Sequence, residues 1–215
     1  MVIGVTGGIA SGKSSFTQSL KSKGAIAFSA DEAARAVLLP SGAVMRSLKE
    51  AFGARVLLND MSLDREWLAK KTFSDFSARE TLEGITHPAI LRLLRAQLEA
   101  TQVDFPPNCI AVAEIPLLYE KNLTEWFDLV VVVSSSESAR IERLKLRNSL
   151  DETSARARFA AQWPLERKIA LADIVIANDG DLEALREKAT KFWKALTPLS
   201  GRSLNAAEKK FLRSL

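Results

Sequence analysis

The chain has 215 residues, 47% hydrophobic and 26% charged, with a net charge of +4. Those proportions suit one core, with or without insertions, and exclude a disordered or fibrous chain. No apolar run reaches the roughly 18–20 residues that cross a bilayer, no basic-flanked leader precedes the first strand, and the single cysteine, Cys109, forbids an internal disulfide. A cytoplasmic protein is expected.

Residues 2–5 form a short apolar run fit for a buried strand. The pattern Gly-x-x-x-x-Gly-Lys-Ser follows from Gly7, and Phe16 and Leu20 then recur at helical spacing. Strand, glycine turn and helix are the setting of a P-loop. Its glycines let successive N–H groups point at phosphate oxygens, and the helix adds its own unpaired donors. Lys13 is expected to reach the β- and γ-phosphates and Ser14 to hold Mg²⁺. Residues 25–28 read as a second strand, and Asp31 heads a helix that Pro40-Ser41-Gly42 stops. Residues 43–98 read as an all-helical insertion, with a turn at 58–62 and a break at His87-Pro88. Residues 109–113, 129–133 and 174–176 are further strands, separated by helical stretches over 140–168 and 181–196. Residues 205–215 close the chain as a short helix. Cys109, inside an apolar run, is expected to be buried and inert, and the lone His87 lacks the companions a structural metal needs.

Short apolar strands alternating with helices imply an α/β fold, a parallel sheet covered on both faces. Ligands then sit at the carboxyl ends of the strands, which places the P-loop, Asp31, Glu114 and the 178–180 loop around one cleft. As the first carboxylate after strand two, Asp31 could take or orient the proton of an attacking hydroxyl; it could equally cap its helix, with Arg35 one turn on. Arg143 and Arg147, spaced i, i+4, share a helix face with Arg140 and suit charge stabilisation on a moving phosphoryl group. Eight basic residues against four acids between 140 and 168 point to a polyanion, for which nucleotide phosphates suffice. The basic tail reads as a solvated helix face. The Asn-Lys-x-Asp element that reads guanine is absent, which argues against a GTPase switch.

These residues resemble the dephospho-coenzyme A kinase family. The resemblance rests on Thr6-Gly7-Gly8-Ile9-Ala10-Ser11-Gly12-Lys13-Ser14, Ala30-Asp31-Glu32-Ala33-Ala34-Arg35, Thr86-His87-Pro88, Ile115-Pro116-Leu117-Leu118-Tyr119-Glu120, Gln162 with Lys168, and the stretch from Ala172 to Gly180. Order and spacing match from residue 2 to 194. The resemblance implies a P-loop NTPase fold of the nucleoside-monophosphate-kinase type, a five-stranded parallel sheet with a helical substrate domain and a lid. It implies a core of residues 1–30, 99–139 and 169–197, a substrate domain over 31–98, a lid over 140–168 and a tail over 198–215. The implied reaction moves the γ-phosphate of ATP, with Mg²⁺, to the ribose 3′-hydroxyl of dephospho-coenzyme A. Asp31, Lys13, Arg143 and Arg147 are the implied catalytic groups. Gly8, Ile9, Ala10, Ser11, Gly12, Lys13, Ser14, Ser15, Asn178 and Gly180 would hold the nucleotide, and Asp31, Arg35, His87 and Leu117 the acceptor. Partners beyond that small molecule, nucleic acid and membrane included, are not expected; a monomer, or at most a weak oligomer, is. The alternatives are another P-loop nucleoside or metabolite kinase, and a nucleotide-binding regulator without transfer. Three departures stand out. Ser29 replaces an aspartate two before Asp31, Asn148 replaces an aspartate beside Arg147, and Ala10 replaces a loop glycine, which a methyl group allows only at negative φ.

Overall fold

A computed structural model describes residues 1–40, 42–148, 156, 159, 160, 162–202 and 204–213, with the backbone alone at 102, 147 and 148. The chain divides into two compact units, Met1–Phe28 with Thr101–Leu215, and Ser29–Ala100.

The first unit is built on five strands, β1 (Val2–Gly7), β2 (Ile26–Ser29), β3 (Ala111–Glu114), β4 (Leu129–Ser134) and β5 (Ile174–Ala177), in the order β2-β3-β1-β4-β5. β1 pairs in parallel with β3 and β4, and β4 with β5. Every residue of β1, β3 and β4 is buried, as a continuous apolar run in a covered parallel sheet requires. At β5 the expectation of two covered faces fails: Ile174 and Ile176 face the core while Val175 is 40% exposed, the alternation of an edge strand with one free side. Helix α1 (Lys13–Lys21) turns Phe16 and Leu20 inward, where they meet Phe192 of a helix over Leu182–Leu196. The two phenyl rings lie 5.8 Å apart and tilted, at the centre of the main core.

The basic tail is not simply a solvated face. Its helix, Ala206–Arg213, buries Leu212 in the main core. Lys209 reaches an Asp173 oxygen at 3.3 Å and Arg213 donates to the Asp173 carbonyl at 2.6 Å. The other Asp173 oxygen accepts the Val130 N–H at the start of β4. Cys109 is half-buried rather than buried, since β3 starts two residues later, at Ala111.

The second unit is helical: α2 (Ala30–Val37), α3 (Ala43–Phe52), α4 (Arg65–Ser74) and α5 (Phe76–Asp104), whose last residues belong to the first unit. A single antiparallel bridge, Leu57 to Leu63, closes the turn at 58–62. Met45, Leu48, Val56 and Leu68 make its core, flanked by the edge-to-face pair Phe52 and Trp67. Asp64 caps α4 by accepting the Trp67 N–H at 2.9 Å. The expected break at His87-Pro88 does not occur, and α5 runs 29 residues through Pro88. A proline removes one rung of the helix ladder at a cost of about 3 kcal/mol, and the many remaining turns of this helix outweigh it.

Phe192 fills the centre of the main core without solvent exposure. Phe192→Ala should lower unfolding stability by about 3–5 kcal/mol, read as a fall in the urea midpoint with an unchanged slope.

Candidate active site

The loop between β1 and α1 is coiled by Gly7 at φ 148 and Gly12 at φ 98, a region that side chains avoid. A Cβ on Gly12 would lie 2.2 Å from the Asn178 amide nitrogen, and one on Gly8 2.6 Å from Arg140 Nη1, so both positions are closed to larger residues unless those neighbours move. The Lys13 ammonium is buried and donates to the carbonyls of Gly8 at 2.8 Å and Gly7 at 3.4 Å. No side chain caps α1 and no acid occupies its first turn. Its positive end and leading N–H groups therefore face the loop uncompensated, which is what an anion site needs.

Three strand ends meet this loop. From β3, Glu114 accepts the Ser14 hydroxyl at 2.7 Å. A hydroxyl beside a carboxylate is a hard-oxygen pair that suits Mg²⁺. From β5, the buried Asn178 donates its amide to the Ser11 carbonyl at 2.8 Å. From β4, the Ser135 hydroxyl accepts Arg143 at 3.0 Å. Arg143 comes from α6 (Glu137–Asn148) and also donates to the carbonyls of Asn178 at 2.9 Å, Gly180 at 3.3 Å and Ala10 at 3.4 Å. The guanidinium thus clamps the 178–180 loop to the phosphate loop. Asp179 accepts the Ser136 N–H at 2.7 Å, which holds its carboxyl below the ordinary carboxylate range. Ile9 and Ala10 pack on Ile141 and Leu144 of α6.

So Gly8, Ile9, Ala10, Ser11, Gly12, Lys13, Ser14, Asn178, Gly180 and Arg143 come together around the loop, with Ser15 on the first turn of α1. Leu117, half-buried, lies in the loop after β3. The Arg147 and Asn148 side chains fall outside the described residues, so the pair at the lid turn does too. Asp31, Arg35 and His87 belong to the second unit. Asp31 is the second residue of α2 and is exposed, as is Arg35. His87 is half-buried in α5, its Nδ1 3.8 Å from the Glu83 carboxylate. The cap of α2 is Ser29, whose hydroxyl accepts the Asp31 N–H at 3.2 Å, so Asp31 does not serve as the cap.

A family model for dephospho-CoA kinase (CoaE) matches residues 1–184. The chain is 43% identical over 198 residues to a dephospho-CoA kinase from Syntrophotalea carbinolica, spanning 92% of this chain and 93% of that protein. It is 41% identical over 203 residues to one from Anaeromyxobacter dehalogenans, spanning 94% and 95%. Among solved structures, dephospho-CoA kinase from Campylobacter jejuni aligns with a TM-score of 0.70 at 27% identity, covering 92% of this chain and 97% of that one. The chain belongs to the dephospho-CoA kinase family. It is a P-loop kinase with a parallel five-stranded sheet and flanking helices.

Several residues of this dephospho-CoA kinase family member carry weight that sequence reasoning had not assigned. Glu114 emerges as the partner of Ser14 only once β3 is set beside β1. Lys168, counted above in the basic cluster, is wholly buried in the helix over Leu165–Leu171. It donates to the Pro116 carbonyl at 2.7 Å and pairs with Glu120 at 2.8 Å, while burial lowers its pKa. The Thr6 hydroxyl donates to that same carbonyl, which ties the Ile115–Glu120 stretch to β1. The signal for Lys168 was its pairing with Gln162 in the family resemblance, without a role attached.

Ala10 corrects an expectation. It adopts φ 59, not a negative value, and so carries the strain that the family's glycine avoids. Its carbonyl is held by Arg143 and its side chain by α6, and these contacts offset the cost. Ala10→Gly should change stability by less than about 0.5 kcal/mol, because relief of left-handed strain is matched by the added unfolded-state freedom of glycine and the lost methyl packing on α6. Urea unfolding measures it. Tyr119, the single tyrosine, is buried, and burial pushes its phenol up to about 12. The stability from keeping it neutral is whole below the ordinary value near 10 and fades as pH rises through the folded one. Absorbance at 295 nm should therefore rise near pH 12 in the folded protein, and near pH 10 in urea.

Proposed function

We propose that the chain transfers the γ-phosphate of ATP to the ribose 3′-hydroxyl of dephospho-CoA, the last step of coenzyme A synthesis. The observation that carries the reading is the complete phosphate cradle, glycine coil, Lys13 and open helix end, in a chain of this family.

Lys13 exchanges its loop carbonyls for β- and γ-phosphate oxygens and follows the charge as it moves to the leaving group. Ser14 and Glu114 would hold Mg²⁺, which would supply charge neutralisation on the phosphate oxygens. N–H groups from Gly8 to Ser15 line the phosphates. Asn178 and Gly180, fixed by Ser11 and Arg143, flank the nucleotide base. Asp31 accepts the proton of the 3′-hydroxyl as its oxygen attacks phosphorus in line with the departing ADP. The exposure of its carboxylate and the taking of the cap by Ser29 support that role, because no helix end competes for the side chain. Arg35, His87 and Leu117 belong to acceptor binding. Arg143 positions the nucleotide loop and Arg147 adds a lid cation. In this reading residues 31–98 are the substrate domain, 140–168 the lid that excludes water, 1–30, 99–139 and 169–197 the core, and 198–215 the tail. The protein acts as a cytoplasmic monomer.

ADP formation against a panel of alcohol acceptors tests the assignment: turnover is expected with dephospho-CoA, and its absence there with activity on another acceptor would replace the substrate. Asp31→Asn should leave ATP affinity intact and lower kcat about 10²–10⁴-fold, the usual worth of a general base. Lys13→Ala should weaken ATP binding and slow transfer together, as isothermal titration and single-turnover rates would report.

A further inference from the structure

Arg140 is the one arginine of the α6 stripe to which neither the fold nor the proposed mechanism gives work. It sits one turn before Arg143 and is only 8% exposed. Its side chain donates no hydrogen bond to any described residue, and its Nε is fully enclosed without a partner. Leaving donors of a buried charge unmade is among the costlier things a fold can do. Glu137 and Glu166 attract it without a hydrogen bond: Glu137 pairs directly with Arg156, Glu166 is exposed, and burial outweighs their pull. Burial accordingly lowers the Arg140 pKa. What holds the group is packing, since its guanidinium lies over the Phe159 ring with 4.4 Å to the centroid.

The position is specific. Arg140 Nη1 lies where a side chain on Gly8 would begin, while the Lys13 ammonium is 2.8 Å from the carbonyl of the same glycine. Two buried cationic side chains converge on one residue of the phosphate loop, a place where a bound anion would be attracted by both. Arg143, by contrast, spends its donors on four protein acceptors.

We propose that Arg140 is a catalytic residue that donates to the terminal phosphate of the bound nucleoside triphosphate, opposite Lys13. The inference rests on the reading above that this loop binds ATP. The Gly8 carbonyl is held by Lys13, the residue assigned above to the β- and γ-phosphates, so a group beside Gly8 is placed at that end of the nucleotide. During transfer the bond from the acceptor oxygen to phosphorus forms, the bond from phosphorus to the β,γ-bridging oxygen breaks, and the hydroxyl proton goes to Asp31. Arg140 keeps its protons and balances charge on the three peripheral oxygens.

Arg140→Gln and Arg140→Lys test it by three readouts on the full chain. Affinity for a non-hydrolysable ATP analogue should fall about tenfold or more while ADP affinity moves less than about threefold, because only the analogue carries the contacted group. With dephospho-CoA, kcat for Arg140→Gln should fall about 100-fold with little change in the acceptor KM, and Arg140→Lys should recover part of it. For Arg140→Gln the ligand-free thermal midpoint should hold or rise, since a buried charge without hydrogen bonds is removed. Equal losses for analogue and ADP, or a lowered midpoint with unchanged kcat, would make Arg140 a packing residue for Phe159 and overturn the proposal. The nucleotide comparison involves no acceptor, so it judges Arg140 even if another alcohol proves to be the substrate. Arg140→Lys keeps the charge and carries the same comparison should the glutamine variant fail to fold.

Discussion

The hydrogen bond from the Asn178 amide to the Ser11 carbonyl, made across the bare face of Gly12, sets the shape of the phosphate loop. A loop built to present N–H groups to a ligand must hand its carbonyls to something else. Here Asn178 takes that of Ser11 and Arg143 that of Ala10, while Lys13 holds those of Gly7 and Gly8 until phosphate oxygens replace them. With the carbonyls bound from behind, the amides point the other way. Much else follows from that division: Gly12 stays bare because Asn178 must come close, and Asn178 is reached only because β5 ends at Ala177. The nucleotide site is thus a negotiation between the first strand and the last.

The same logic explains why the sheet order matters to chemistry. β1 lies at the middle, so its loop has β3 on one flank and β4 on the other. Glu114, Ser135 and Asn178 leave the same edge of the sheet because the registered pairs are parallel. Residues as far apart as Ser14 and Glu114 become hydrogen-bond partners without any local signal in the chain. Packing below the loop is equally cooperative, with Phe16 and Phe192 locking α1 against the helix that follows the 178–180 loop.

Much of this was legible in the sequence, and the gaps have physical causes. Strands β1 and β4 are continuous apolar runs, and the glycine pattern with Lys13 and Ser14 marks the loop by local sequence alone. The strand pattern put the 178–180 loop at the cleft, but the roles of Asn178 and Gly180 came from the family resemblance, since nothing local marks a side chain that bonds 167 residues back. Pro88 misled because a breaker is judged by its neighbours in sequence, whereas a 29-residue helix absorbs one missing rung. Lys168 misled in the opposite way. A count of basic residues on a helix treats each as solvated, and periodicity does not say which faces turn inward. Ala10 was invisible as a strained residue because φ is set by the loop around it, not by alanine.

The placement of β1 also shapes how the chain is made. Val2–Gly7 is synthesised well before its two neighbours, Ala111–Glu114 and Leu129–Ser134, which lie more than a hundred residues behind. Until they arrive, an apolar strand waits with both edges open, the kind of segment that invites wrong pairing during synthesis. A central position that lets one loop collect ligands from the neighbouring strand ends is thus also a long interval of exposure for the nascent chain.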